Sequence, residues 1–60
     1  MRSPYYLGRK AFLRGLPALP SADKEFKKNY LEGAKVGEAL KHMQEWAEGW
    51  HTANVNEKEV

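Results

Sequence analysis

A stripe of apolar and small side chains recurs every three or four residues through the middle and second half of this chain. Its members are Phe26, Tyr30, Gly33, Gly37, Leu40, Met43, Ala47 and Trp50. This interval is the period of one face of an α-helix, and no segment alternates as a half-buried β-strand would. The sequence therefore predicts an all-α fold whose main element is a long amphipathic helix.

Two glycines of the stripe, Gly33 and Gly37, lie four residues apart inside this predicted helix. Each glycine costs a helix interior about 1 kcal/mol relative to alanine. Close approach of a second helix would offset that cost, and a bend or break of the helix is the alternative. We expect two helices to cross at Gly33 and Gly37.

A shorter helix is predicted near the amino terminus. Ser3 can accept a hydrogen bond from a free backbone N–H group, and Pro4 suits the first helical position. Gly15 suits a left-handed cap, and Pro17 prevents the helix from continuing. The first helix should therefore run from about Pro4 to Arg14.

The second helix should follow a connector, Leu16 to Pro20, that its prolines keep extended. Ser21 is the predicted N-cap, so the helix begins near Ala22. If no break occurs at the glycines, it continues to about Ala53 and stops at Asn54.

Sixty residues make one small domain, and no cysteine is present to form a disulfide. We expect residues 1–54 to form a helical hairpin of a short N-terminal helix and a long amphipathic second helix. Residues 55–60 lack a packing pattern and are predicted to fray as a C-terminal tail.

The two predicted helices differ in length, which leaves part of the longer one without cover. A short helix that folds back would cover mainly residues 26–40. Met43, Trp46 and Trp50 would then form an exposed surface, and exposed aromatic side chains of this size mark contact sites. This surface predicts a homodimer or a protein partner that occupies the same place, and packing within a monomer is the alternative.

Catalytic chemistry has little support in the sequence. There is no cysteine nucleophile, and no serine has a histidine and an acid at local spacing. His42 lies four residues after Glu38 and three before Glu45, which favours a helical acid–histidine pair over a metal site. We expect a protein that is not an enzyme and that uses no catalytic residue, metal, cofactor or small-molecule substrate.

Hydropathy and the amino-terminal residues indicate where in the cell the protein is expected. No apolar run approaches the length that spans a bilayer, so no membrane partner is expected. Residues 1–4 lack the apolar segment of a signal peptide. The sequence therefore predicts a cytoplasmic protein.

The overall charge of +2 conceals a division between the two halves. Residues 1–35 hold eight basic and three acidic side chains, a net charge of +5, whereas residues 36–60 have a net charge of −3. A basic half with aromatic residues favours RNA or DNA as a partner, since cations neutralise phosphates and tyrosine stacks on unpaired bases. Solvated helix faces with core tyrosines, neutralised by an antiparallel neighbour, are the alternative. The predicted nucleic-acid contacts are Tyr6, Arg9, Lys10, Arg14, Lys24, Lys27 and Lys28.

Because the connector would join the basic groups, a hairpin should carry them to one end of the molecule. The acidic residues of the second half should lie at the opposite end. They are Glu45, Glu48, Glu57 and Glu59.

Two short motifs resemble the ribosome modulation factor family of small two-helix bacterial proteins. Residues 8–15 fit that family's Gly-x-x-Ala-x-x-x-Gly, and residues 46–53 match its Trp-x-x-Gly-Trp-x-x-Ala at every position. The family's Cys-Pro-Tyr connector reads Leu19-Pro20-Ser21 here, and the segment before Trp46 is longer than in the family. A rival alignment without this insertion places residues 30–34 on the tryptophan motif.

The resemblance implies a ribosome-associated translation modulator that contacts rRNA through basic residues without catalysis. The competing hypothesis is a small protein-binding regulator or inhibitor, of the kind that mobile elements direct at a host protein, acting through Trp46 and Trp50. Salt separates the two, since phosphate contacts weaken steeply with ionic strength and a tryptophan-centred interface does not.

Overall fold

The computed structural model describes residues 2–58, without the side chains of Glu57 and Lys58. This range is helical and contains no strand. The elements are α1 (Pro4–Leu13), a 3-10 turn (Pro20–Ala22), α2 (Lys24–Phe26), a π-helical turn (Lys27–Leu31) and α3 (Val36–Lys58). The predicted all-α fold, with a short N-terminal helix and a long helix, is confirmed.

Local signals determine both ends of α1. The Ser3 side chain accepts a hydrogen bond from the Tyr6 N–H at 3.1 Å, as expected of an N-cap. At the other end Gly15 has a φ of 81°, and the Leu16 N–H donates to the Ala11 carbonyl at 2.9 Å. This left-handed glycine cap provides hydrogen-bond donors for carbonyl groups at the helix end that would otherwise lack partners. The predicted bounds of the first helix are confirmed.

The predicted second helix is divided in two at Gly33, which has a φ of 78°. A glycine adopts this left-handed conformation without the steric cost of a Cβ atom. Helical structure stops at Leu31 and resumes at Val36. The apolar stripe of the sequence therefore extends over two elements. The alternative prediction, a break of the helix at the glycines, is the one observed, and the continuous helix is not.

Two predicted boundaries of the second helix are wrong. Ser21 lies within the 3-10 turn, and Asp23 is the N-cap instead, accepting the Phe26 N–H at 3.2 Å. Asn54 does not stop α3, which continues to Lys58. Without a glycine or proline, one asparagine costs a helix less than about 1 kcal/mol and does not end it. The part of the predicted frayed tail beyond Lys58 lies outside the described residues.

The close crossing of two helices occurs at Gly8 of α1 and Gly49 of α3. A Cβ atom added to Gly8 would overlap the Trp46 carbonyl, and one added to Gly49 would overlap the Tyr5 carbonyl. Each helix therefore lies against the backbone of the other, which no larger residue at these two positions would allow.

The predicted crossing at Gly33 and Gly37 is wrong. A Cβ atom on either glycine would have no neighbour within 4 Å. Gly33 forms the chain break, and Gly37 lies exposed in the first turn of α3. The spacing of Gly33 and Gly37 therefore does not identify the crossing, which occurs at Gly8 and Gly49.

Contacts along α1 establish its direction relative to α3. The Tyr30 hydroxyl donates to the Arg2 carbonyl, and the Tyr30 ring lies 4.9 Å from the His42 ring. Further on, the Phe12 ring lies 5.2 Å from that of Trp50. Residue numbers thus increase together along the two helices, so α1 runs in the same direction as the second half of α3.

A helical hairpin is present, formed by α2, its π-helical turn and α3. Asp23 contacts Trp46, whereas the later residue Tyr30 contacts the earlier residue His42, so these segments run in opposite directions. The expectation that the first helix covers mainly residues 26–40 holds at Phe26, which packs with Leu7 and Ala11, and is wrong for the rest of that range, because α1 lies mostly over later residues of α3. The segment after α1 is long enough to return the chain to the start of α3, which leaves α1 over the later residues of that helix.

The core combines side chains from all three helices. Leu7, Ala11, Phe26 and Trp46 form its buried centre. Around them pack the half-buried residues Leu16, Tyr30, Leu31, Met43, Ala47 and Trp50.

Candidate nucleic-acid interface

The outer face of α1 carries the first group of predicted contacts. Helical period directs Pro4, Leu7, Gly8 and Ala11 into the molecule, where all four are buried. The side chains between them remain exposed. These are Tyr5, Tyr6, Arg9, Lys10, Leu13 and Arg14.

Three residues of this face form a contact group, named here the Tyr6 cluster: Arg2, Tyr6 and Lys10. The guanidinium carbon of Arg2 lies 5.5 Å from the centroid of the Tyr6 ring, and the Lys10 Nζ lies 6.0 Å from it. The ring itself remains 39% exposed. An interval of four residues places Lys10 one helical turn after Tyr6, and Arg2 reaches the same ring from the backbone before the helix, so two cations lie over a partly exposed aromatic ring.

Arg2 precedes the helix but is held by contacts from a distant segment. The Arg2 carbonyl accepts a hydrogen bond from the Tyr30 hydroxyl, and the Arg2 guanidinium lies 3.6 Å from the Glu25 carboxylate. The two side chains are 58% and 39% exposed, so solvent screens this ion pair, which is worth at most about 1 kcal/mol. The sequence prediction did not include Arg2, because this residue lies before the predicted helix and helical spacing gives no signal for it.

The second group of predicted contacts lies on α2 and the π-helical turn. Lys24, Lys27 and Lys28 are all exposed there. Among the side chains that the structure describes, the ion pair formed is that of Arg2 with Glu25, so these lysines have no acidic partner. Short π-helical segments are rare and frequently accompany functional sites.

The predicted separation of charge is wrong for two of its acidic residues. Glu45 and Glu48 adjoin the α3 residues that α1 crosses, so they lie beside α1 and not at the opposite end. The error follows from the assumed direction of the first helix. The side chains of Glu57 and Glu59 lie outside the described residues.

The predicted partner surface, Met43, Trp46 and Trp50, belongs to the core. Trp46 is fully buried, and its Nε1–H donates to the Asp23 carboxylate at 3.0 Å. Trp50 is half-buried, and its Nε1–H donates to the Leu16 carbonyl at 2.9 Å. The premise that these side chains lack cover is wrong, because α1 packs over the part of α3 that was expected to be bare.

His42, considered for a metal site, packs instead against Tyr30. Its Nδ1 atom is buried and has no hydrogen-bond partner within the described part of the chain. The side chains described, those of residues 2–56, contain no group of three or more histidine, cysteine, aspartate or glutamate residues arranged to hold a metal ion. No helix in residues 2–58 has the length and apolar character needed to cross a membrane.

The two motifs that resemble ribosome modulation factors meet in space. Gly8 and Ala11 of the first motif lie at the α1–α3 contact, and Gly15 provides the cap that ends α1. In the second motif Trp46, Gly49 and Ala53 are buried on the facing helix. Both motifs therefore contribute to the packing of the two helices.

No protein-family model, curated protein or solved structure matches this chain.

Proposed function

We propose that this protein is a non-catalytic RNA-binding protein that modulates translation by contacting rRNA on the ribosome. The observation that carries the proposal is the Tyr6 cluster, in which two cations lie over a partly exposed aromatic ring. Phosphate neutralisation by Lys and Arg, combined with aromatic stacking, is how proteins bind nucleic-acid strands without reading a duplex.

The support beneath the cluster strengthens the proposal. The opposite side of α1 is held against α3 by the backbone contacts of Gly8 and Gly49. A binding face on an element that is already ordered loses little conformational entropy when it engages a ligand. The exposed lysines of the second group extend the positive surface: Lys24, Lys27 and Lys28.

The ribosome as the source of the RNA follows from the family resemblance. The motif residues that carry the resemblance pack together, as expected if they preserve a shared helix arrangement. A ribosome-associated role would place the protein in the cytoplasm.

The competing function, a protein-binding regulator acting through Trp46 and Trp50, has less support, because Trp46 is fully buried and Trp50 is half-buried against the core. A homodimer built on the same tryptophans has less support for the same reason. The RNA-binding proposal is therefore the one retained.

Charge reversal on α1 tests the proposal. Arg9→Glu combined with Lys10→Glu should weaken binding to an rRNA fragment by about 100-fold near physiological salt, because two phosphate contacts become repulsive. Fluorescence anisotropy across a salt series measures the affinity and its slope. Co-sedimentation with ribosomes then tests the source of the RNA.

The matched control is Lys41→Glu combined with Lys35→Glu, which makes the same charge change at exposed positions near the start of α3. The affinity of this variant for the rRNA fragment should fall by less than about threefold beyond the loss that the change in net charge causes. Equal losses in both variants would mean that overall charge, and not the α1 face, governs binding, and the proposal would be wrong.

A further inference from the structure

We infer that the RNA ligand is an unpaired strand, one base of which stacks on Tyr6 while its neighbouring phosphates contact Arg2 and Lys10. This inference rests on the proposed function and specifies its ligand. It adds Arg2 to the site as a phosphate contact and distinguishes Tyr6 from the equally exposed Tyr5.

Tyr6 offers a partly exposed ring. The Arg2 guanidinium and the Lys10 ammonium lie over this ring, 5.5 Å and 6.0 Å from its centroid, but both belong to exposed side chains that an incoming base can displace toward its own phosphates. The ring retains 39% exposure. In a duplex the faces of each base are occupied by its neighbours, so only an unpaired base has a face that can stack on such a ring.

The two cations of the cluster reach Tyr6 from different parts of the chain. Lys10 lies one helical turn after Tyr6, and Arg2 comes from the backbone just before the Ser3 cap. A nucleotide whose base occupies the ring has a phosphate on each side of its sugar. The cluster therefore offers one stacking surface for the base and two cations for the phosphates of a single strand.

The two neighbouring tyrosines differ in their contacts with cations. Tyr5 is 38% exposed and Tyr6 is 39% exposed, so simple accessibility does not separate them. In the described part of the chain, the cation–ring contacts involve Tyr6 and not Tyr5. Tyr5 thus provides a matched control for a change that removes an exposed phenol ring from α1.

The carboxylate of Glu25 competes with a phosphate for Arg2. The two charged groups lie 3.6 Å apart and both side chains are solvent-exposed, so an incoming phosphate can displace the Glu25 carboxylate from Arg2. Removing the carboxylate charge should therefore strengthen binding. Glu25→Gln should raise affinity by about two- to fivefold, the range expected for release of one exposed ion pair.

The experiment measures anisotropy of a labelled RNA strand, of the same strand in a duplex, and of a DNA strand of the same sequence. We expect the RNA strand to bind at least about tenfold more tightly than the duplex. Tyr6→Ala should weaken strand binding by about tenfold, Tyr6→Phe should retain it, and Tyr5→Ala should change it less than about twofold. Far-UV circular dichroism verifies that each variant keeps its helices.

The DNA strand separates recognition of base and phosphate from recognition of the sugar. Similar affinity for both single strands supports the inference, since both polymers supply the base and the phosphates. If the protein strongly prefers the RNA strand and Tyr6→Ala leaves its affinity unchanged, recognition depends on the 2′-hydroxyl and the inference is overturned.

The remaining outcomes separate this inference from the proposed function. If the duplex binds as tightly as the strand, or Tyr6→Ala equals Tyr5→Ala, while Arg9→Glu with Lys10→Glu still abolishes binding, the stacking site is wrong and the RNA-binding function stands. Absence of binding to every RNA overturns both.

Discussion

Two different physical requirements explain why four positions of this chain need glycine. Gly15 and Gly33 have positive φ angles of 81° and 78°, where a side chain would be strained. Gly8 and Gly49 occupy the helix crossing, where a side chain would collide with a carbonyl group. Gly37 meets neither requirement, because its surroundings are open.

This difference predicts opposite effects for one substitution. Gly8→Ala should destabilise the protein by about 3 kcal/mol, since a backbone cannot move aside as a side chain can. Gly37→Ala should stabilise it by about 0.5–1 kcal/mol, because alanine loses less entropy on entering a helix. Urea unfolding followed by circular dichroism measures both changes. If Gly8→Ala were as stable as the original chain, the close crossing would be refuted.

At the scale of elements, a buried carboxylate joins the start of α2 to the middle of α3. Asp23 is 1% exposed and accepts hydrogen bonds from the Phe26 N–H and the Trp46 Nε1–H. One side chain therefore caps a helix and satisfies the polar atom of a fully buried indole. An element as short as α2 depends on such contacts, because short helices are not stable alone.

Asp23→Ala should destabilise the protein by about 3 kcal/mol, since it removes the cap and leaves the indole N–H unpaired. Ser21→Ala is the control, because the exposed Ser21 was the sequence-predicted cap and should now change stability by less than about 0.5 kcal/mol. Thermal unfolding of both variants measures the difference. A larger effect at Ser21 than at Asp23 would contradict this account of the α2 start.

At the scale of the whole molecule, the core requires every helix. Leu7 and Ala11 come from α1, Phe26 from α2 and Trp46 from α3. A chain of this size buries little more apolar surface than folding requires, so it has no reserve to replace a missing element.

Removing α1 should therefore unfold the remainder. A chain shortened to residues 19–60 should lose its near-ultraviolet circular dichroism, and acrylamide should quench both indoles, because Gly8, Leu7 and Ala11 no longer cover α3. In the full chain Trp46 should resist the quencher and Trp50 should be partly accessible. Shielded indoles in the shortened chain would show that α2 and α3 form a core on their own.

Half of the candidate site was visible in the sequence. Tyr6 and Lys10 share the outer face of a helix whose bounds the sequence predicts, and an interval of four residues brings them together. Glu25 could not be recognised as part of the site, because its contact with Arg2 joins two segments that only the folded chain brings together.

The sequence alone determined the helical class, the bounds of α1 and the existence of an apolar stripe, because caps and helical period depend on residues within a turn of each other. Tertiary structure decided which glycines separate helices and which allow them to cross, since both roles suit the same residue. It also decided the direction of α1, and with it the burial of Trp46 and Trp50. Periodicity identifies the side of a helix that must be covered, whereas the element that covers it depends on contacts between distant parts of the chain.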